Sequence, residues 1–174
     1  MRVAAANGLV RILKAEGVPW VSTFPTCVVN NALGQEGVPI LMMREERYAV
    51  AVADGFSRVT GGQQVGVCTV MCTGGTNAAG LQMAYGALAQ AFEDSSPVLC
   101  ITEGVPPGTS GNSHYDISLG FKAITKWIGH IDQAQRVPEF MRRAFTYLRS
   151  GRRGPVLITL PRGLGEYDEE EHPY

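Results

Sequence analysis

Two adjacent carboxylates, Glu45 and Glu46, follow directly on an apolar run at 38–43 and open a stretch with helical periodicity. Ala49, Val52, Ala53 and Phe56 recur at i, i+3, i+4 and i+7, one apolar face, with Arg47, Asp54 and Arg58 mostly off it. Open α/β sheets gather ligands at the carboxyl ends of their strands, so an acid placed just after a core strand is a candidate for holding or moving a proton. The plainer reading is that both acids complement the helix dipole in its first turn. Spacing alone does not decide which of the two points inward, because both lie at the edge of the stripe. The run Thr73-Gly74-Gly75-Thr76-Asn77 can bring backbone N–H groups toward a ligand at the start of the next helix, or it is a tight turn. His114 lies in an irregular stretch, 103–120, rich in glycine and proline, and can serve as acid or base near neutrality or be a surface histidine. His130 and His172 have no supporting context. There is no G-x-G-x-x-G after the first strand and no Walker A sequence, and neither Ser57 nor Ser113 sits in a nucleophile-elbow pattern. Cys68-x-x-x-Cys72 has no second Cys/His pair, so no metal ligand is assigned in this chain.

The elements that must position these residues alternate regularly. Ala5, Leu9, Ile12 and Leu13 mark a first helix closed by Gly17, and 20–24 is a short strand stopped by Pro25. Thr26 can cap a helix running to Leu33 with Gly34 as its stop, followed by the strand at 38–43 and the helix of the two acids. The near-continuous apolar runs 65–70, 97–102 and 156–160 read as strands buried on both faces, and 124–128 as a further strand. Leu81, Ala84, Tyr85, Leu88 and Phe92 form one helical stripe. Val137, Phe140, Met141, Ala144 and Leu148 form another, begun at Pro138 and closed by Gly151. Strands alternating with helices predict an α/β fold: a doubly wound, mostly parallel sheet of about six strands with helices on both faces. One domain is expected over 1–165, and the acidic segment 166–174 reads as the start of a linker.

Totals narrow the class. At 174 residues, 45% hydrophobic and 18% charged, the chain is long enough for one domain with a real core. A net charge of −1 argues against a nucleic-acid or anionic-membrane surface, and no run approaches a membrane span. No signal peptide is evident, and Cys68 and Cys100 read as buried small hydrophobes, which together fit a reducing, cytoplasmic setting.

Four segments, spanning almost the whole chain, carry a resemblance. Arg44-Glu45-Glu46-Arg47-Tyr48-Ala49 through Ala53-Asp54-Gly55-Phe56-Ser57-Arg58-Val59-Thr60-Gly61 looks like R-H-E-x-x-A…A-x-G-Y-A-R-x-T-G, and Gly66-Val67-Cys68 to Gly75-Thr76-Asn77 looks like G-V-x…G-P-G-x-x-N. Asp94-Ser95-Ser96-Pro97-Val98-Leu99 to Gly104-Val105-Pro106 looks like D-S-x-P-V…I-T-G-x-V-P, and Ser150-Gly151-Arg152-Arg153-Gly154-Pro155-Val156 to Leu160-Pro161 looks like S-G-R-P-G-P-V…I-P. The chain thereby resembles the N-terminal pyrimidine-binding domain of thiamine diphosphate-dependent enzymes of the acetolactate synthase type, a group that includes 2-hydroxyacyl-CoA lyases, benzaldehyde lyases and related decarboxylases.

The resemblance implies that Glu46 is the catalytic glutamate, bonded to N1′ of the cofactor's aminopyrimidine, while Glu45 stands where the family has histidine. It further implies cofactor contacts from Pro25 and Thr26, and from Thr73, Gly74, Gly75 and Asn77, with Ser113 or His114 near the substrate. The family's glycine after Pro25 is Thr26 here, its G-P-G turn is Thr73-Gly74-Gly75, and the segment between Asn77 and Pro97 looks about six residues longer than usual. The implied activity is carboligation or decarboxylation of 2-keto acids or related carbonyl compounds. Alternatives are a 2-hydroxyacyl-CoA lyase or benzaldehyde lyase-like carbon–carbon lyase, or a non-catalytic α/β assembly module. The family binds the diphosphate and Mg²⁺ through a G-D-G…N-N motif that this sequence lacks. A diphosphate-binding domain or subunit is therefore an expected partner, within a homodimer or homotetramer. A piece of a longer polypeptide is favoured over a separate subunit.

Overall fold

The computed structural model describes residues 1–72, 79–106 and 116–174. Its helices are α1 (Ala5–Ala15), α2 (Val28–Gln35), α3 (Glu46–Val59), α4 (Ala79–Met83), α5 (Tyr85–Glu93), α6 (Ile117–Phe121) and α7 (Val137–Arg149). Its strands are β1 (Arg2–Ala4), β2 (Val21–Thr23), β3 (Ile40–Met42), β4 (Gly66–Thr69), β5 (Val98–Thr102), β6 (Trp127–His130), β7 (Val156–Thr159) and β8 (Glu166–Asp168). Six of them form a parallel sheet in the order β3-β2-β4-β5-β7-β6. Successive side chains on a strand point to opposite faces. Val67, Leu99, Ile101, Val156 and Ile158 therefore enter one core with α1, α2 and α7. Cys68, Val70, Cys100 and Leu157 enter a second core with α3, α4 and α5. The fold is the doubly wound α/β arrangement expected from the alternation of elements.

Several local expectations are corrected. The strand read as buried over 38–43 is Ile40–Met42, and Leu41 and Met42 are exposed because β3 is an edge strand paired only with β2. The buried face of α3 is Glu46, Ala49, Val50, Ala53, Asp54 and Ser57, a stripe rotated from the apolar one, with Val52 and Phe56 only half-buried. Two polar members of that stripe have partners, though Asp54 keeps Oδ1 unbonded among the described residues. The Ser57 hydroxyl donates to Pro97 O at 2.6 Å and accepts from Gly66 N at 2.7 Å. Arg58 joins Asp54 at 2.8 Å to Asp94 at 2.7 Å. The stripe from Leu81 to Phe92 is interrupted at Ala84 and forms two helices, α4 and α5. The strand read over 124–128 starts later, at Trp127, after a 3-10 turn at Lys122–Ile124, and forms the edge of the sheet beside β7. Thr26 does not cap α2. Cys27 occupies that position without a side-chain bond, Gly34 lies inside the helix, and Gly37 (φ +70°) follows its end.

The segment read as the beginning of a linker starts as a strand. β8 pairs antiparallel with β1 in the register Arg2↔Asp168, Val3↔Tyr167, Ala4↔Glu166. Tyr167 is buried against α1, where a Cβ on Gly8 would come within 2.3 Å of its hydroxyl. Farther along, Arg142 donates to Pro173 O at 3.0 Å and the Tyr174 hydroxyl bonds Glu16. All four cysteines are free and buried, and among the described residues no helix is long and apolar enough to cross a membrane.

Candidate functional site

The chain runs outward from β2 to β3 and then crosses back to β4 on the other side of β2. That reversal makes the carboxyl ends of β2 and β4 the switch point of the sheet, and the crevice expected at such a point is where open α/β sheets take ligands. Three connections meet there: Phe24-Pro25-Thr26 leaving β2, Met43-Arg44-Glu45 leading from β3 into α3, and Val70-Met71-Cys72 leaving β4. They are fastened to one another. Phe24 N donates to Thr69 O at 3.0 Å and Met43 N to Thr23 O at 2.7 Å. Asn30, which no sequence pattern singles out, donates to Phe24 O and accepts from the Thr69 hydroxyl, both at 2.8 Å.

Glu46 is the first residue of α3 and only 5% exposed. It occupies the i position of the helix's buried stripe, so the turn that buries Ala49, Val50 and Ala53 carries its side chain inward. Its Oε1 lies against α4: a Cβ on Gly80 would meet that oxygen at 2.4 Å and Met71 O at 2.7 Å. Glycine at 80 therefore makes the space the carboxylate occupies. Among the described residues, no hydrogen bond or ion pair reaches the Glu46 carboxylate. Glu45 is the half-buried residue before the helix and is paired with Arg47 at 3.4 Å. Of the two acids, Glu46 is buried against α4 at the end of β4, and Glu45 is half-buried outside that contact.

Pro25 and Thr26 are both exposed at the mouth of the crevice. Thr26 has φ +72°, a left-handed conformation costly for a β-branched residue. Such strain at a strand end is a mark of functional sites. Thr26→Gly should raise stability by roughly 1 kcal/mol, the left-handed penalty less glycine's extra chain entropy. Thermal unfolding followed by circular dichroism should then show a midpoint higher by about 2–4 °C; an unchanged or lower midpoint would contradict the assignment of strain. Thr73, Gly74, Gly75 and Asn77, and the substrate candidates Ser113 and His114, lie outside the described residues.

A match to a family model decides what this crevice belongs to. Residues 3–135 fit the model described as thiamine pyrophosphate enzyme, N-terminal TPP binding domain. The chain belongs to that family. It is 35% identical over 176 residues to a probable acetolactate synthase large subunit of Methanocaldococcus jannaschii, covering 97% of this chain and 29% of the relative. It is 36% identical over 166 residues to the acetolactate synthase isozyme 2 large subunit of Escherichia coli K12, covering 91% of this chain and 29% of the relative. With the glyoxylate carboligase of Escherichia coli O157:H7 the identity is 31% over 167 residues, covering 92% of this chain and 27% of the relative. The chain thus spans less than a third of the length of these relatives.

In this TPP-binding domain two further polar groups stand at the carboxyl edge that the sequence did not point out. Glu103, directly after β5, is fully buried, and Arg162, after β7, grips it through Nε at 2.9 Å and Nη2 at 2.6 Å. Burial pushes the Cys27 thiol up to about 12, and the Glu103 charge adds to that while Arg162 opposes it. Burial and then Glu103 push Cys72 up to about 11. Both thiols are therefore held protonated. Farther along the edge, His130 lies between the Ser118 hydroxyl at 2.6 Å and the Thr159 hydroxyl at 2.9 Å, in the wall of a cavity of about 340 Å³ that Glu46 does not line. Burial lowers the His130 pKa, against an opposing effect of Asp116. Among the described residues no group of His, Cys, Asp or Glu is placed to hold a metal ion.

Proposed function

We propose that this domain is the pyrimidine-binding half of a thiamine diphosphate-dependent carboligase or decarboxylase acting on 2-keto acids, of the acetolactate synthase type. The observation that carries the reading is Glu46: a carboxylate turned into the crevice at the point where the strand order reverses, with room kept for it by Gly80. A buried carboxylate calls for a hydrogen-bond donor, and a protonated ring nitrogen of a flat heteroaromatic group is a fitting one. The bound cofactor supplies a nucleophilic carbon and an electron sink. This chain's part is to hold the pyrimidine ring and to give and take the proton at N1′ through Glu46. In this reading Pro25, Thr26, Thr73, Gly74, Gly75 and Asn77 are the cofactor-binding residues, and Ser113 and His114 the substrate-binding ones.

Diphosphate and Mg²⁺ are held elsewhere in this reading, by a diphosphate-binding domain or subunit, with the whole a cytoplasmic homodimer or homotetramer. Residues 1–165 make the pyrimidine-binding domain, and from 166 onward the chain passes over α1 and α7 toward the next unit. Leu41, Met42, Tyr48, Met83 and Tyr85 are exposed apolar side chains on elements bordering Glu46, a surface suited to being covered by that partner.

The test is a comparison of pyruvate consumption, with Mg²⁺ and cofactor present, by this chain alone and by the protein carrying the diphosphate-binding domain. The chain alone should show no turnover and the completed protein steady turnover. Turnover by the chain alone would contradict the half-site reading.

A further inference from the structure

We propose that Arg162 is the group that recognises the substrate's carboxylate, and that Glu103 is the residue that positions it. The inference rests on the 2-keto acid reading above and adds to it the residue that would distinguish an acid from a neutral carbonyl compound. Glu103 and Arg162 follow neighbouring strands, β5 and β7, on the same carboxyl edge as Glu46. The contact is two-pronged: Nε and Nη2 of one guanidinium bond the two oxygens of one carboxylate at 2.9 and 2.6 Å. Such a fork fixes the plane of the guanidinium as well as its position.

Burial is one-sided. The Glu103 side chain is 0% exposed and that of Arg162 is 52% exposed. The carboxylate is thus the anchor and the guanidinium the presented face. Nε and one N–H of Nη2 are turned to Glu103, which leaves the edge made by Nη1 and the other N–H of Nη2. Among the described residues no hydrogen bond reaches Nη1. Two parallel N–H groups on one edge match a second carboxylate.

Location supports the same reading. β5 neighbours β4 in the sheet, so Glu103 stands one strand from the β2–β4 crevice and Arg162, after β7, two strands from it on the same edge. The pair is not needed to join its own strands: β5 and β7 are already in register from Leu99↔Val156 to Thr102↔Thr159.

The experiment is equilibrium dialysis of labelled pyruvate and of its neutral analogue pyruvamide against the complete protein without cofactor, so that no pyruvate is consumed, with thiazolium C2 hydrogen exchange followed in the same preparations after cofactor is added and substrate left out. Arg162→Lys keeps the charge and loses the fork. The double variant Glu103→Gln with Arg162→Gln removes both charges, so neither is left buried alone, and its fold is checked by circular dichroism. Pyruvate should bind about 30-fold more weakly to the double variant, an intermediate amount more weakly to Arg162→Lys, and pyruvamide equally to all three. Equal weakening for acid and amide, or unchanged pyruvate binding, would overturn the assignment. Loss of C2 exchange in the unsubstituted protein would instead remove the cofactor reading, while the dialysis still decides Arg162.

Discussion

Replacing Gly66 by alanine should lower the melting temperature of this domain by about 10 °C, the largest stability effect expected of any single methyl group here. Gly66 opens β4 directly beneath α3. A Cβ there would lie 1.9 Å from Ala53 O and 2.9 Å from Ala53 Cα. Those are backbone atoms of a helix, so no side chain can swing aside, and the helix must lift off the sheet. Lifting it would also strain the Ser57 hydroxyl, which at one point accepts from Gly66 N and donates to Pro97 O, and the Ser22 hydroxyl, which donates to Ala49 O at 2.5 Å. Overpacking of this kind costs about 3 kcal/mol. Gly55, inside α3 with nothing within 4 Å of an added Cβ, is the control. Gly55→Ala should instead stabilise by roughly 0.5–1 kcal/mol, because glycine is a poor helix interior residue. Circular dichroism melts of both variants should move in opposite directions. An unshifted melt for Gly66→Ala would mean that α3 does not press on β4 as described, and with it that Glu46 is not held where the structure holds it.

How far the sequence revealed this arrangement differs from element to element. The parallel sheet was legible because β4, β5 and β7 are buried on both faces and so read as unbroken apolar runs. Which acid enters the crevice was not legible from periodicity. The buried stripe of α3 includes Asp54 and Ser57, whose inward direction is masked by their polarity and made tolerable only by distant partners, Arg58 with Asp94 for one and Pro97 with Gly66 for the other. Once the stripe is drawn through them, Glu46 falls on it and Glu45 does not. Motif resemblance reached that answer by a separate route. The β1–β8 pair escaped notice because each strand is three residues long, too short for its alternation to stand out. Glu103 and Arg162 are 59 positions apart and His130 and Ser118 are 12 apart, and no local pattern announces such partners. Strain at Thr26 was hinted at by a threonine where a glycine is usual, and the left-handed φ gives the physical content of that hint.

The second large effect is on chemistry. Glu46→Gln keeps the size of the side chain and a hydrogen-bonding oxygen and removes the exchangeable acid. If Glu46 holds the proton at N1′ of the aminopyrimidine, activation of the cofactor should slow by about 10²–10⁴-fold, the usual worth of a positioned acid–base group. Cofactor affinity should fall less, since an amide still bonds and the diphosphate is anchored in another domain. Gly80→Ala should reach the same end by another path, because its Cβ would stand 2.4 Å from Glu46 Oε1 and drive the carboxylate from its place. Glu45→Gln should do little, since Glu45 lies outside the crevice and is engaged with Arg47.

Hydrogen–deuterium exchange at thiazolium C2 of the bound cofactor, compared among Glu46→Gln, Glu45→Gln and the unsubstituted complete protein, tests this most directly. The account predicts exchange slower by about 10²–10⁴-fold in Glu46→Gln and near normal in Glu45→Gln. Equal exchange in Glu46→Gln and the unsubstituted protein, or slow exchange in Glu45→Gln alone, would contradict it.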